Sequence, residues 1–474
     1  MTNISGYMIP SRIRIISGNT NSSNIKGEPD EWSLAIMVVL SNGSRRLCLA
    51  HCVLSHGGSH PALGFRSLSN LNGLGGGGGV SNSPLSSTDE NKKTQVTTPA
   101  YEGSKVKAEI LDLAVDMRMA RPGDVINSPY ELTVSESMQE LWGCCFHSQN
   151  RISTSRPFAR RIGLQDRILP FSSVLFLTSA MTHADSAKVQ VGFGQSVYHW
   201  PAFAGDTFTK SFQVQSIRNT SDGNHSIFHI LCSLKNQRGR ICMSADKRMI
   251  FPFVVPESNV VATSDEGEPS QLFRDHLLGK ANVLAKELGS QSLASLHAGQ
   301  LICHSMSRSI TFSQSQQLAS LARLTHPRHF DTRKYDELTE IYVPGGLVLG
   351  LTLSASSRDL HEILHEQVKN VNFINNLHPG NVVSAITYVQ KIDDNLPGDL
   401  EGLTVRTFGI KNLDTAQELD GVSLPLELFE GPPKKPKDIE KICKEKCPIL
   451  SKKIIVVVDR IILRQASRRE IFLL

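Results

Sequence analysis

The segment Pro201-Ala-Phe-Ala-Gly205-Asp206 returns in the second half of the chain as Asn376-Leu-His-Pro-Gly380-Asn381. Four further pairs of segments match in the same order along the chain. They are Arg121-Pro-Gly123-Asp-Val-Ile with His297-Ala-Gly299-Gln-Leu-Ile, Thr133–Leu141 with Thr311–Ala319, Lys235-Asn236 with Lys411-Asn412, and Asp246–Ile250 with Asp459–Leu463. Four of the five pairs have nearly the same separation along the chain, whereas the last pair lies farther apart. This pattern predicts one module present twice, with an insertion near 413–450 in the second copy.

Both copies share one predicted order of elements. An amphipathic helix comes first, capped by Ser135 or by Ser313, which with Gln316 makes a capping box. An apolar helix follows, with Pro170 or Pro344 in its first turn. The strands follow at 189–200, 206–217, 225–235 and 241–254, and again at 368–377, 382–392, 403–411 and 453–464. Because a helix that is apolar on all sides is buried, we expect an α+β fold with an antiparallel sheet around each apolar helix.

Composition narrows the functional class. The 474 residues are 40% hydrophobic and 20% charged, and the net charge is +5, which gives no support for nucleic-acid binding. No apolar run reaches the roughly 18 residues of a membrane span. The odd count of nine cysteines suits free thiols in a reducing compartment. The segment 1–27 is basic and contains no acid, so either mitochondrial import or a cytoplasmic location is expected.

The repeat also divides the chain. Residues 1–105 lie outside it, and the glycine-rich stretch between 61 and 105 predicts a flexible linker. We expect the first copy at 106–260, a linker at 261–290 and the second copy at 291–474.

The second copy carries two further motifs. His326-Pro-Arg-His329-Phe-Asp331 is followed by Tyr342-Val-Pro-Gly345-Gly346-Leu. These stretches resemble the Asp-x-Asn-Pro-x-His-x-Asp motif and glycine-opened helix of the MaoC-type enoyl-CoA hydratases and dehydratases. The resemblance implies a double hotdog fold and hydro-lyase chemistry on an acyl-CoA. It also implies that no cofactor is needed, because the CoA belongs to the substrate, and that a homo-oligomer could form through sheet edges.

Segments 373–380 and 403–409 extend the likeness to two-module hydratases of the mesaconyl-CoA kind, which act on short branched or dicarboxylic acyl-CoAs. By position in the motif, His329 would be the catalytic acid and base, and Asp331, with Glu340, would orient it. Gly345 and Gly346 would hold the thioester oxygen at the helix start, where N–H groups and the helix dipole favour an anion. Arg328, Arg333 and Lys334 would be available to the CoA phosphates.

One position departs from the family motif. Leu324 stands where the family has its first acid, five residues before His329. Three interpretations follow: the motif is shortened, His326 or Asp331 substitutes for the acid, or activity is lost. The last would leave a non-catalytic hotdog protein that binds a thioester or serves as a structural subunit. In the first copy none of the candidate catalytic groups is repeated, which confines the expected site to the second copy.

Two patterns suggest metal sites instead. His361-Glu-Ile-Leu-His365 has the zincin spacing, although the repeat places it between the apolar helix and the next strand, where we expect a solvated helix end. Cys48, Cys52, His56 and His60 recur at intervals of four but match no common zinc module. We therefore expect no metal.

Overall fold

The computed structural model describes strand backbone at 33–38 and 48–53, and residues 108, 115–147, 149–182, 184–253, 272–288, 295–337 and 339–466. The chain divides into two units, residues 1–100 and 101–474. In the first unit, β1 (Ser33–Val38) pairs antiparallel with β2 (Cys48–Val53). The predicted basic leader and glycine-rich linker lie outside what is described. Of the predicted cluster, the backbone of Cys48 and Cys52 belongs to β2, whereas His56 and His60 lie outside the described residues.

The second unit contains all other described elements. Its strands are β3 (Val125–Asn127), β4 (Leu132–Thr133), β5 (Val189–Tyr198), β6 (Thr207–Asn219), β7 (His225–Asn236), β8 (Ile241–Pro252), β9 (Leu301–Cys303), β10 (Arg308–Ser309), β11 (Ile363–Phe373), β12 (Val382–Asp393), β13 (Leu400–Lys411) and β14 (Ile454–Gln465). Its helices are α1 (Glu136–Phe146), α2 (Arg151–Thr154), α3 (Arg156–Arg161), α4 (Phe171–Ser179), α5 (Leu272–Gly279), α6 (Ala281–Leu288), α7 (Phe312–Leu321), α8 (Gly345–Ser357), α9 (Thr415–Glu418) and α10 (Pro436–Lys446).

The twelve strands of this unit form one continuous antiparallel sheet. Its order is β10-β12-β13-β14-β11-β5-β8-β7-β6-β3, with β4 also on β6 and β9 also on β12. Read outward from the β5–β11 pair, each half runs through the same series of strands: β8, β7 and β6 on one side, β14, β13 and β12 on the other. The predicted repeat is therefore visible as two halves joined side by side.

The two apolar helices lie inside this sheet. Every residue of α8 from Gly346 to Ser357 is buried, and α4 is buried along most of its length. The hydroxyl groups of Thr178 and Thr352 donate to backbone carbonyls four residues earlier, so burial leaves neither of them unpaired. The two helices pack on each other, which makes a single core shared by both halves.

Some local predictions need correction. Ser135 caps α1 as expected, but Thr311 caps α7 and forms the capping box with Gln314, so the prediction of Ser313 with Gln316 is wrong. The threonine hydroxyl accepts the Gln314 N–H at 3.2 Å, which starts the helix two residues earlier than expected. Pro170 and Pro344 are the caps of α4 and α8 rather than first-turn residues.

The insertion between β13 and β14 covers the outer face of the second half. Side chains of Leu428, Phe429 and Ile439 pack on β12–β14, whose residues are buried on both faces as a result. Arg406 holds the insertion in place. It pairs with the buried Asp459 at 2.6 Å and donates to the carbonyl oxygens of Phe429 and Gly431. Within the described residues, no helix combines the length and apolar content required to cross a membrane.

At Gly192, the pairing of β5 with β11 leaves no room for a side chain. A Cβ on Gly192 would overlap the carbonyl oxygen of Val371 across the junction. A methyl group at position 192 would push the two paired strands apart, so only glycine fits there.

We expect Gly192→Ala to lower the free energy of unfolding by about 1–3 kcal/mol, the usual cost of overpacking. Gly143→Ala is the matched control, because Gly143 lies in α1 with no atom within 4 Å of its Cβ position. That substitution should raise stability by about 0.5–1 kcal/mol through helix propensity. Urea unfolding of both variants measures the difference, and equal effects would show that the junction is not tightly packed.

Candidate active site

A cavity of about 290 Å³ opens where the two halves meet. The first half lines it with the end of α4 and with parts of β5 and β8, and the second half with 324–329, 342–348 and 373–377. Most lining side chains are apolar, as in small-molecule sites. The predicted residues His329, Gly345 and Gly346 all line this cavity, together with Arg328.

His329 is oriented by the backbone. It ends a single turn of 3-10 helix, Pro327–His329, and its ring Nδ1 lies 2.8 Å from the carbonyl oxygen of Tyr342. A carbonyl oxygen only accepts, so Nδ1 carries the proton and Nε2 of the neutral ring keeps a lone pair. The imidazole is thereby arranged as a proton acceptor.

The surroundings keep this ring neutral. The pKa of His329 is lowered to about 4, chiefly by burial; His326, Lys247 and Arg328 contribute to this lowering, and the Tyr342 carbonyl opposes it. At neutral pH the ring therefore has its Nε2 lone pair available.

The start of α8 supplies hydrogen-bond donors. The first N–H groups of a helix have no partner within it, and those of Gly345 and Gly346 form no hydrogen bond to another described residue. A Cβ at Gly345 would lie 2.9 Å from Phe373 Cζ, and one at Gly346 would lie 2.5 Å from Phe176 Cδ2. Glycine at both positions lets the helix start approach the cavity wall closely.

His326 does not replace the missing acid. Its Nε2 donates to the carbonyl oxygen of Ala187 at 2.7 Å, and its Nδ1 accepts the N–H of Arg328 at 3.1 Å. Both ring nitrogens are therefore engaged with the backbone. Leu324 lines the cavity in place of an acid, so the wall has a methyl-bearing surface there.

The predicted carboxylates lie elsewhere. Asp331 forms a two-point ion pair with Arg333, a side chain that is 89% exposed, and it forms no hydrogen bond with the His329 ring. Glu340 accepts the backbone N–H of Asp336 at the surface. The prediction that these two acids orient His329 is therefore wrong, because the Tyr342 carbonyl performs that task. Arg333 and the exposed Lys334 do not line the cavity either.

Two side chains of the first half were missed. Lys247 on β8 is 4% exposed and lines the cavity, while its ammonium donates to the carbonyl oxygen of Ser179 at 2.7 Å. Gln190 on β5 lines it as well. The expectation that the site is confined to the second copy is thus corrected: strands of one half form the wall opposite the helix start of the other, which alignment of the copies cannot show.

The corresponding place in the first half is nearly filled. A cavity of only about 50 Å³ lies at Pro170–Ser172, the counterpart of Pro344–Gly346. Beside it Arg151, at the position aligned with His329, forms an ion pair at 2.8 Å with Glu362, which is 2% exposed. Among the described residues, an open cavity at the start of the apolar helix therefore occurs in one half and not in the other.

The zincin-like segment is part of this filled region. Glu362 and His365 are buried at the start of β11, so the expectation of a solvated helix end is wrong. His365 Nε2 lies 3.1 Å from the carbonyl oxygen of Tyr198 and donates to it. The described residues contain no cluster of histidine, cysteine and acidic side chains suited to a metal ion.

Comparison with solved structures identifies the fold. A MaoC domain dehydratase from Chloroflexus aurantiacus J-10-fl superimposes with a TM-score of 0.58 at 18% identity, over 76% of this chain and 99% of that one. A conserved hypothetical protein from Mycobacterium tuberculosis, described as a double hotdog, gives a TM-score of 0.55 at 13% identity, over 74% and 99%. The chain therefore has the double hotdog fold. No family model matches the sequence, and no curated protein matches it.

Two buried lysines allow the electrostatics to be tested. Lys210 is 5% exposed and donates to the carbonyl oxygens of Ala180 and Ala322, but it does not line the cavity. Burial lowers the pKa of both Lys210 and Lys247 to about 8.

We expect Lys247→Met to raise the pKa of His329, because a nearby positive charge is removed, whereas Lys210→Met leaves that pKa unchanged. Titration of the histidine ring signals by NMR, assigned with His329→Gln, measures both. Equal shifts in the two variants would contradict the placement of the Lys247 charge beside His329.

Proposed function

We propose that the protein catalyses reversible hydration and dehydration of an enoyl thioester, with CoA as the carrier. One observation carries this proposal. A neutral imidazole whose Nε2 forms no hydrogen bond to a described residue shares a cavity with a glycine-opened helix start whose first N–H groups also have no partner among the described residues. Addition of water to a conjugated thioester requires a base for the water and donors for the oxygen that becomes negative. The cavity offers both.

In the hydration direction, His329 Nε2 takes a proton from water while the water oxygen bonds to the β-carbon. The electron pair of the double bond moves through the α-carbon to the thioester oxygen. The N–H groups of Gly345 and Gly346 stabilise that oxygen together with the positive end of the α8 dipole. Burial of His329 keeps it unprotonated before the step.

The proton returns from the same imidazole. No Asp or Glu is among the described residues that line the cavity, so the proposed mechanism uses no carboxylate. The His329 imidazolium formed in the first step gives its proton to the α-carbon. Atoms and charges balance with one histidine, which is how the proposal accommodates Leu324.

The lining also favours a substrate class. About 290 Å³ between mostly apolar walls suits a short acyl chain. Lys247 and Arg328 add positive charge to the cavity, and no acid is among the described residues that line it, which favours a chain that carries its own carboxylate, such as mesaconyl-CoA.

The insertion extends the positive charge beyond the cavity. Ile374 and Asn375 line both the cavity and an adjoining groove along α10. The groove is also lined by three lysines, Lys437, Lys441 and Lys444, and by two acids, Glu440 and Glu445. These lysines are exposed, and we propose that they contact the CoA phosphates along with Arg328.

A second function has one observation in its favour. Leu324, in place of the family acid, favours a protein that binds a thioester without converting it. Such a protein would bind saturated and unsaturated acyl-CoAs with similar affinity and show no turnover.

We expect His329→Gln to lower kcat for crotonyl-CoA or mesaconyl-CoA by about 10²–10⁴-fold, the usual range for loss of a general base. His378→Gln is the matched control, since His378 also bonds a backbone carbonyl, that of Ile341, but does not line the cavity. Loss of the conjugated thioester absorbance measures turnover. Wild-type activity in His329→Gln would remove His329 from the mechanism, and a wild-type protein that binds but never turns over would favour the second function.

The pH profile gives an independent check. Protonation of His329 removes its lone pair, so activity should fall as the pH falls through its pKa of about 4 rather than near the ordinary value of about 6.5. The acid limb of kcat/KM, with circular dichroism at each pH to confirm folding, measures this value. A limb near 6.5 in folded protein would contradict a buried histidine as the base.

For the groove, we expect the double variant Lys437→Glu/Lys444→Glu to raise KM for CoA substrates about 30-fold with little change in kcat. Two attractions of roughly 0.5 kcal/mol are replaced by repulsions of similar size. The N-acetylcysteamine thioester of the same acyl group, which lacks the phosphates, is the control and should be unaffected. Equal effects on both substrates would rule out phosphate binding by the groove.

A further inference from the structure

Gln190 occupies an unusual place in the sheet. It pairs with Met249 on β8, and the register shifts between Gln190 and Gly192. Irregularities of this kind redirect side chains and are frequent beside active sites. The redirected side chain reaches across to the other half, where Oε1 lies 3.1 Å from the position of a Cβ on Gly345. The amide of one half thus adjoins the helix start of the other.

This amide is unsatisfied. Its Nε2 is excluded from solvent without a hydrogen-bond partner, and neither amide atom bonds to a described residue. A buried amide left in that state costs about 1–3 kcal/mol. Native structures pair nearly all such groups, and exceptions call for an explanation.

The other half shows the same position beside a cavity that is nearly filled. The alignment that pairs Gly205 with Gly380 makes His365 the counterpart of Gln190. His365 adjoins the small, nearly filled cavity and bonds the Tyr198 carbonyl within the protein. At this sheet position, the side chain beside the nearly filled cavity forms a hydrogen bond within the protein. The side chain beside the open cavity forms none to a described residue. This contrast points to a ligand as the missing partner.

We propose that Gln190 donates a hydrogen bond to the thioester oxygen, beside the N–H groups of Gly345 and Gly346. This inference rests on the proposed function. A half-turn of the amide plane exchanges its oxygen and nitrogen and brings the NH₂ group towards the helix start. No proton is transferred: the amide stabilises the oxygen as it gains charge. The first half then supplies a catalytic residue to the site of the second.

Two variants distinguish whether the Gln190 amide donates or accepts a hydrogen bond. Gln190→Leu removes the donor at similar volume and should lower kcat for crotonyl-CoA about 100-fold, as loss of one oxyanion donor does. Gln190→Glu places a carboxylate at the oxygen and should lower kcat further. If Gln190 instead accepted a hydrogen bond from water, Gln190→Glu would keep its activity, and that result would overturn the proposal.

The melting temperature distinguishes this catalytic role from a structural one, because replacing a residue with a structural role would lower Tm. Gln190→Leu deletes an unsatisfied buried group, so its Tm should equal or exceed that of the wild type. Gln139→Leu is the control: the Gln139 amide donates to the carbonyl oxygens of Ser153 and Ile168, away from the cavity. It should lower Tm and leave kcat of the folded protein unchanged.

A wild-type kcat in Gln190→Leu, or a loss of kcat that only follows a lower Tm, would overturn the role of Gln190. Absence of turnover by the wild type would instead overturn the proposed hydration. In that case the Kd of butyryl-CoA decides the role of Gln190: a value raised in Gln190→Leu but not in Gln139→Leu supports it, and equal values refute it.

Discussion

The packing of α4 against α8 inside one shared sheet is the constraint on which the structure depends. Each helix is apolar on nearly all sides and must be enclosed, but the curled strands of one half leave part of its helix uncovered. The helix of the other half covers that part, and Gly346 against Phe176 shows how closely the two approach. Because β5 and β11 also join the halves through backbone pairs, neither half has a complete core alone.

The same packing creates the cavity and makes it single. Where α8 begins, it faces β5 and β8 of the first half across about 290 Å³. Where α4 begins, side chains and the Arg151–Glu362 ion pair leave only about 50 Å³. The glycine pair at 345–346 lies at the open end, while Phe171 and Ser172 occupy the equivalent positions at the filled end. The two halves thus differ in cavity volume because the side chains at the start of α4 are larger than those at the start of α8.

Much of the fold could be predicted from the sequence. Strands β6, β7, β8, β12 and β14 lie within two or three residues of their predicted bounds, because alternating and continuous apolar runs, such as Ile454–Val458, directly reflect burial. The start of β11 was missed by five residues, since His361 and Glu362 read as polar surface. The charge of Glu362 is in fact balanced by an ion pair with Arg151. Because Arg151 is far away along the chain, a local sequence pattern cannot reveal it as the partner.

The site could be predicted only in part. His329, Gly345 and Gly346 could be found because they belong to sequence motifs, and all three line the cavity. Tyr342 acts through its carbonyl oxygen, which every residue has, so no side-chain pattern marks it. Gln190 and Lys247 belong to the other repeat, and their approach to α8 depends on the β5–β11 junction, a contact between strands from different copies of the module.

A crystal structure with bound 3-hydroxybutyryl-CoA tests the account most directly, since this ligand is the hydration product of crotonyl-CoA. The account predicts the thioester oxygen within hydrogen-bond distance of the Gly346 N–H and the 3-hydroxyl group at His329 Nε2, inside the cavity shared by the two halves. A ligand bound elsewhere, or one whose thioester points away from the start of α8, would contradict it.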